Sequence, residues 1–210
     1  MSAGNPAKLN LTVAIPTIVG RENLFDALKS FLCAQIIRDK LEGKIELIHL
    51  RDNKELSIGA KRQKLYEMAQ GKFCVQIDDD DTVHPEYLRI INEVIENNSH
   101  VQGIGYLEHC DISGKITYAH HSGRWPEWGD DGIMDGKRFD HVRPLFFKDP
   151  ILTEICRAVA VRDMRYGEDL DFATRLRASG RLKVCFDIDL PMYFYRYRDE
   201  PLETKYGFDR

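Results

Sequence analysis

The chain has 210 residues, 43% hydrophobic and 30% charged, a composition that belongs to one compact globular unit and excludes disordered and fibrous classes. Its 30 Lys and Arg against 34 Asp and Glu leave a net charge of -4, which argues against broad electrostatic wrapping of nucleic acid. The five cysteines (Cys33, Cys74, Cys110, Cys156, Cys185) are odd in number, far apart and without a Cys-x-x-Cys pair, so neither a disulfide framework nor a zinc knuckle is expected. No stretch approaches the roughly 20 apolar residues of a membrane helix, residues 1–9 carry no signal pattern, and a cytoplasmic protein is expected.

Residues 9–15 (LNLTVAI) read as a strand ended by Pro16, and Leu24, Leu28, Phe31, Leu32 and Gln35 follow at helical spacing. Residues 45–50 (IELIHL) read as a second strand. Ser57 can then cap a helix that carries Ile58, Leu65, Met68 and Ala69, with Gly71 beyond its end. Residues 73–77 give a third strand running straight into Asp78, Asp79, Asp80 and Asp81; Pro85 stands where a helix with Tyr87, Ile90, Ile91, Val94 and Ile95 can start. Residues 101–106 give a fourth strand. Strands alternating with helices imply right-handed crossovers and an α/β fold, a Rossmann-like, mainly parallel sheet flanked by helices, with ligands outside the carboxyl ends of the strands.

After Tyr106 the pattern changes. Residues 111–114 (DISG) read as a hairpin turn, and residues 119–140, rich in Gly, His, Trp and Asp, as a substrate-facing loop region. A helix is expected over 168–178, closed by Gly180, with later strands over 182–186 and 192–197. No repeat, low-complexity tract or linker interrupts the chain.

Four consecutive aspartates after a buried strand repel one another and raise one another's pKa values unless something positive sits among them. A divalent cation, Mn2+ or Mg2+, is the simplest remedy, because hard cations take carboxylate oxygens and share themselves with phosphate. A solvated acidic turn is the plainer reading of the same run. Its place at the carboxyl end of a strand favours the metal.

The run, together with its surroundings, resembles the family-two glycosyltransferases of the GT-A fold. Ala14-Ile-Pro-Thr17 is similar to that family's first strand and loop, Ser57-Ile-Gly-Ala-Lys-Arg62 to its helix entry, and Ala69-Gln-Gly-Lys-Phe73 to the lead into its metal strand. Ile77-Asp-Asp-Asp-Asp81 with Pro85 resembles its Asp-x-Asp motif, and Tyr166-Gly-Glu-Asp169 with Asp171 its later acidic motif, so the likeness runs in order over roughly residues 9–180.

That resemblance implies a metal-dependent, inverting transferase that takes a sugar from a nucleoside diphosphate sugar, with a lean towards uridine diphosphate. It implies one catalytic domain, residues 9–106 forming the nucleotide-sugar half and 107–210 the acceptor-binding and catalytic half with its smaller β and loop region. Pro16, Thr17, Asp52, Gly59, Lys61, Arg62, Asp78 and Asp79 would hold the donor, Asp52 through the base, Arg62 and Lys61 through diphosphate or base, and Asp79 near the ribose. Asp80, with Asp78, would hold the metal; no late histidine follows His141 to serve as a further ligand. Asp169, ahead of Glu168, would be the base that takes the acceptor's proton. Two acids opening a helix also suit its N-terminal partial charge, so plain capping explains them too.

Trp125 and Trp128, next to His120, His121 and Arg124, form an aromatic cluster able to stack on an acceptor or to pin the loop to the core, and His121 is grouped with them as an acceptor contact. Arg157, Arg162 and Arg165 could make a local basic face. The acceptor is open among glycan, protein, lipid-linked sugar and a modified base in DNA. Two other functions share parts of the pattern. A nucleotidyltransferase would need a glycine-rich basic loop after the first strand, whereas Ile15-Pro-Thr-Ile-Val-Gly20 has one glycine and no lysine. A non-catalytic carbohydrate-binding module would not need acids at both Asp80 and Asp169.

Overall fold

The computed structural model describes residues 9–197. In chain order the elements are β1 (Leu11–Ile18), α1 (Glu22–Arg38), β2 (Ile45–Asp52), α2 (Ile58–Met68), β3 (Phe73–Gln76), β4 (Thr82–Val83), α3 (Tyr87–Asn97), β5 (Gly103–Ile112), β6 (Lys115–His121), β7 (Gly132–Met134), β8 (Lys137–Phe139), β9 (His141–Arg143), β10 (Ile151–Leu152), α4 (Thr153–Val159), α5 (Glu168–Ala178) and β11 (Cys185–Tyr197). Among the described residues one large sheet runs in the order β2-β1-β3-β10-β5-β11-β4, β6 joins the outer part of β5 and β9 joins β6; β7 and β8 make a separate hairpin. β2, β1 and β3 are mutually parallel, as are β5 and β11, while β10 lies antiparallel between the two sets.

Strand alternation divides the apolar residues between the two faces. Leu11, Val13 and Ile15 of β1 and Phe73 and Val75 of β3 pack with Phe25, Leu28 and Leu32 of α1 and Leu88, Ile91 and Ile95 of α3. Ala14 and Cys74, pointing the other way, pack with Leu65 and Tyr66 of α2, Ile155 of α4 and Phe172 and Leu176 of α5. Each large side chain so removed from water contributes about 1.5–3 kcal/mol, and with both faces covered a ligand can approach the sheet only at the ends of its strands.

Several details depart from the sequence expectation. β1 does not stop at Pro16 but continues to Ile18. β3 pairs with β1 only as far as Ala14, so beyond that point β1 is bonded in the sheet by β2 alone and a residue without an N–H is tolerated. The expected strands at 182–186 and 192–197 are one strand, β11, with irregular register between Asp187 and Tyr193 around Pro191. β5 runs on to Ile112 through the point where the sequence pattern changes, and its hairpin to β6 is closed by the bond from Gly114 N to Asp111 Oδ1, 3.0 Å. The short β10–α4 unit was not foreseen, since two strand residues and seven helical ones carry too little periodicity to read.

Candidate active site

Several elements deliver side chains to one edge of the sheet. The loop after β1, the N-terminal half of α2, the tetrad after β3, the outer end of β5, the segment before β10, the start of α5 and the end of β11 surround a single cavity of about 530 Å³. Its floor is laid by residues 146–148. Gln76 N donates to Phe147 O (2.8 Å), which draws this segment across the end of β3, so that Phe146, Phe147 and Lys148 sit beneath the tetrad.

The tetrad is not left to repel itself. Asp78 is paired with Arg62 (2.9 Å), Asp79 with Arg21 (2.8 Å) and the Thr17 hydroxyl (2.7 Å), Asp80 with Arg21 (3.2 Å), and Asp81 with Lys148 (3.2 Å) and the Tyr193 hydroxyl (2.7 Å). The countercharge for which a divalent cation is the simplest expectation from the sequence is therefore supplied largely by the protein. Burial would raise the Asp78 carboxyl, but Arg62 and Lys148 outweigh it and hold it below the usual range. Burial pushes Asp81 up to about 7 against Lys148, with Asp78 and Asp80 adding to the push. Lys148 itself is raised: desolvation disfavours its charge, but Asp81, Glu108 and Asp78 more than compensate. Its ammonium lies 4.4 Å from the Tyr193 ring and 4.5 Å from that of Tyr195.

Arg62 is buried at the centre of a second knot. Its guanidinium bonds Asp78, Glu168 (3.3 Å) and Gln76 (3.4 Å) and stacks 3.7 Å over Phe147. Burial raises Glu168, Arg62 opposing it and Asp169 reinforcing it. Asp169, one residue on, also lines the cavity and is half-buried, and among the described residues no cation pairs with it. Gly167, at φ 71°, takes the left-handed turn that lets both acids enter the first turn of α5 from the cavity side.

Gly59 and Asp52, expected at the donor, do not line the cavity. Gly59 N donates to Met164 O (3.0 Å), and a Cβ there would run into the Arg162 carbonyl oxygen, so this glycine serves the close approach that brings residues 162–169 over α2. Gly59→Ala is expected to cost about 1–3 kcal/mol through overpacking, measured by urea unfolding; an unchanged midpoint would remove the glycine from this role. Asp52 is ion-paired with Lys61 and accepts from Leu56 N (2.8 Å). Burial works to raise its pKa, but the Lys61 and Leu56 bonds lower it overall. Lys61 in turn donates to Thr17 O (2.7 Å), welding the ends of β1 and β2 together while itself bordering the cavity beside Pro16 and Thr17.

The acceptor expectation needs correction. Trp128 borders the cavity; Trp125 and His121 do not. Trp125 packs edge-on against His120 (5.9 Å) and donates Nε1 to its Nδ1 (3.1 Å), pinning the loop. His121 is wholly buried between Asp149 (2.9 Å) and Glu108 (3.3 Å). Burial would lower its pKa, but those two carboxylates raise it to about 9, so it is charged at neutral pH. A pKa raised in the folded state stabilises fully below the ordinary value of 6.5 and loses that contribution as pH climbs through about 9. The melting temperature is therefore expected to fall by roughly 5–10 °C between pH 6.5 and 9.5. A flat profile would show that His121 is neutral. Of the three arginines read as a basic face, Arg157 caps α2 through the Tyr66 and Glu67 carbonyls (2.8 and 3.2 Å), Arg162 pairs with Asp171 (2.9 Å), and Arg165 alone borders the cavity.

Sequence reasoning missed Arg21, Glu108, Arg143, Lys148 and Tyr193. Four adjacent aspartates signalled that cations must be near, but residues separated by up to 112 positions announce their meeting by no local pattern.

For a divalent cation the fit is partial. Asp78 and Asp80 present carboxylate oxygens, hard donors of the right kind, and their side chains are 25% and 38% exposed at the cavity. Among the described residues, no group of three or more His, Cys, Asp and Glu gathers to hold a metal. The set thus suits an ion shared with a phosphate ligand and water rather than one caged by protein.

The glycosyl transferase family 2 model matches residues 32–163, a span that includes Ser57–Arg62 and the tetrad but ends before Glu168 and Asp169. No curated protein matches the chain in sequence. Among solved structures, S. aureus TarS 1-349 in complex with UDP-GlcNAc superposes with a TM-score of 0.61 at 14% identity, over 91% of this chain and 60% of that one. The same fragment in complex with UDP superposes with a TM-score of 0.61 at 15% identity, over 90% and 61%. The chain therefore spans about 60% of the length of these structures, and at such identity the likeness is one of fold. With a family match over well more than half of its length and that fold beneath it, the chain belongs to glycosyl transferase family 2.

Proposed function

We propose that the chain moves a sugar from a uridine diphosphate sugar to an acceptor hydroxyl, with inversion at the anomeric carbon and with Mn2+ or Mg2+ as cofactor. The observation that carries this reading is the sorting of acids around one cavity. Asp78, Asp79, Asp80, Asp81, Glu108 and Glu168 each hold a basic partner, whereas Asp169 holds none among the described residues. A carboxylate kept from ion pairs at a ligand cavity is suited to take a proton.

In the transfer, the acceptor oxygen forms a bond to the anomeric carbon while the bond from that carbon to the diphosphate oxygen breaks. The acceptor's proton passes to Asp169, and the nucleoside diphosphate departs with the bonding electron pair. Pro16, Thr17 and Lys61, which line the cavity, would hold the nucleotide; Asp78 and Asp80, oriented by Arg62 and Arg21, would hold the cation. When bound, that cation supplies Lewis-acid stabilisation of the charge developing on the diphosphate. The choice of uridine is supported by the UDP and UDP-GlcNAc complexes of TarS. Residues up to about 106 would serve the donor and later ones the acceptor and the base. The five cysteines, none of them in a disulfide, favour a cytoplasmic setting, and among the described residues no helix is long and apolar enough to cross a membrane.

The test is calorimetric titration with UDP, UDP-sugars and other nucleoside diphosphates, with Mn2+ and after chelation. Manganese-dependent binding of uridine nucleotides supports the reading; no binding across the panel overturns it, and binding without turnover of any donor would favour a non-catalytic module.

A further inference from the structure

The cavity continues past the tetrad along an aromatic floor. From Arg62 over Phe147, the rings of Phe147 and Phe146 meet at 5.0 Å, those of Phe146 and Trp128 at 5.3 Å, and the guanidinium of Arg143 lies 4.5 Å over Trp128. The two arginines at the ends of this floor differ in one respect. Arg62 is neutralised by Asp78 and Glu168, whereas Arg143 has no carboxylate partner among the described residues. Both hydrogen bonds that Arg143 makes among the described residues leave from Nη1, to Gly129 O (3.0 Å) and Val142 O (2.9 Å), so the fork is held in place with its other donors unspent on those residues. The neighbouring Trp128 Nε1 is buried and has no acceptor among the described residues. A half-buried, pre-oriented guanidinium beside an unpartnered indole N–H, both on residues that line the cavity, is a donor set without its acceptor.

We propose that Arg143 determines acceptor specificity by binding an oxyanion, phosphate or carboxylate, that the acceptor carries beside the hydroxyl receiving the sugar. This rests on the reading of the tetrad end as the donor site. The donor's own diphosphate is not the anion in question, because the tetrad, which would hold the cation and with it the diphosphate, stands at the Arg62 end of the floor. A planar fork favours an anion with two oxygens in one plane, and the Trp128 face offers the remainder of the acceptor a surface to stack on.

The experiment uses the full chain saturated with UDP and Mn2+, titrated calorimetrically with ribose against ribose 5-phosphate and with glucose against glucuronate. One charged probe is expected to bind roughly tenfold tighter than its neutral parent, as one charge-assisted pair predicts. Which pair responds tells phosphate from carboxylate. In Arg143→Gln the preference should fall to about onefold while UDP affinity stays, and Arg143→Lys should recover part of it. A purely structural Arg143 would lower the melting temperature and leave the charged-to-neutral ratio unchanged. Absence of any preference in the wild type, or its survival in Arg143→Gln, overturns the proposal; failure to bind UDP at all would instead remove the donor reading beneath it. Should the variants not fold, the indole N–H resonance of Trp128, assigned through Trp128→Phe, decides. It must shift with the charged probe and not with the neutral one, and no shift counts against the proposal.

Discussion

Asp169→Asn is expected to lower sugar transfer by roughly 10²–10⁴-fold while leaving UDP affinity within about twofold. The substitution keeps the shape of the side chain and removes its charge and with it its capacity to accept a proton. The fold should not notice, because Asp169 is half-buried and bonds only the neighbouring Leu170 N (2.8 Å) among the described residues. Asp80→Asn is the natural contrast. It touches the carboxylate that the proposed cation would use, so its loss should appear in manganese-dependent UDP binding before it appears in the chemical step. Single-turnover transfer and calorimetry on both variants separate the roles. Equal losses of UDP affinity in the two would end the division of labour between the tetrad and α5.

Arg62→Ala is expected to destabilise the protein by about 3–5 kcal/mol, because it strands Asp78 and Glu168 in the interior without their cation. For a chain of this size that corresponds to a fall of roughly 10 °C in melting temperature. The guanidinium also stacks on Phe147, so packing is lost along with charge. By the family resemblance Arg62 reads as a ligand of diphosphate or base. Its fork is instead spent on Asp78, Glu168 and Gln76, which makes it the brace joining the tetrad to the acids of α5. A cycle with Asp78→Asn tests this: the double variant should recover part of the loss, because the carboxylate left unpaired has been made neutral. A loss below about 1 kcal/mol in Arg62→Ala would mean that the knot is open to water and contributes like a surface pair.

The parallel α/β half was legible because its elements obey local rules. Ser57 caps α2 by accepting from Ala60 N at 3.0 Å, and α3 carries buried Leu88, Ile91 and Ile95 at helical spacing. The tetrad announced itself through the cost of four adjacent carboxylates, whereas Glu168 and Asp169 stood out only through the resemblance of Tyr166-Gly-Glu-Asp169 to the family's later acidic motif, since their place at a helix start is equally explained by capping. Trp125 and Trp128 could not be told apart in the same way. Both are tryptophans in one loop, and only packing decides that one locks onto His120 while the other reaches the cavity.

By itself the sequence determined which residues are costly where they stand: strands that must be covered on both faces, and acids that demand a positive neighbour. It also pointed to the family, since its motifs stand along the chain in the order in which that family carries them. Only the tertiary structure decided who the neighbours are. Arg21, Arg62 and Lys148 supply charge to the tetrad, Glu108 and Asp149 clasp His121, and Arg143 is left with donors and no acid among the described residues. The reason is physical. Helices and strands are read from periodicities of a few residues, whereas charge pairing in a low-dielectric interior depends on distances of about 3 Å between side chains a hundred positions apart, and no local pattern encodes such a meeting.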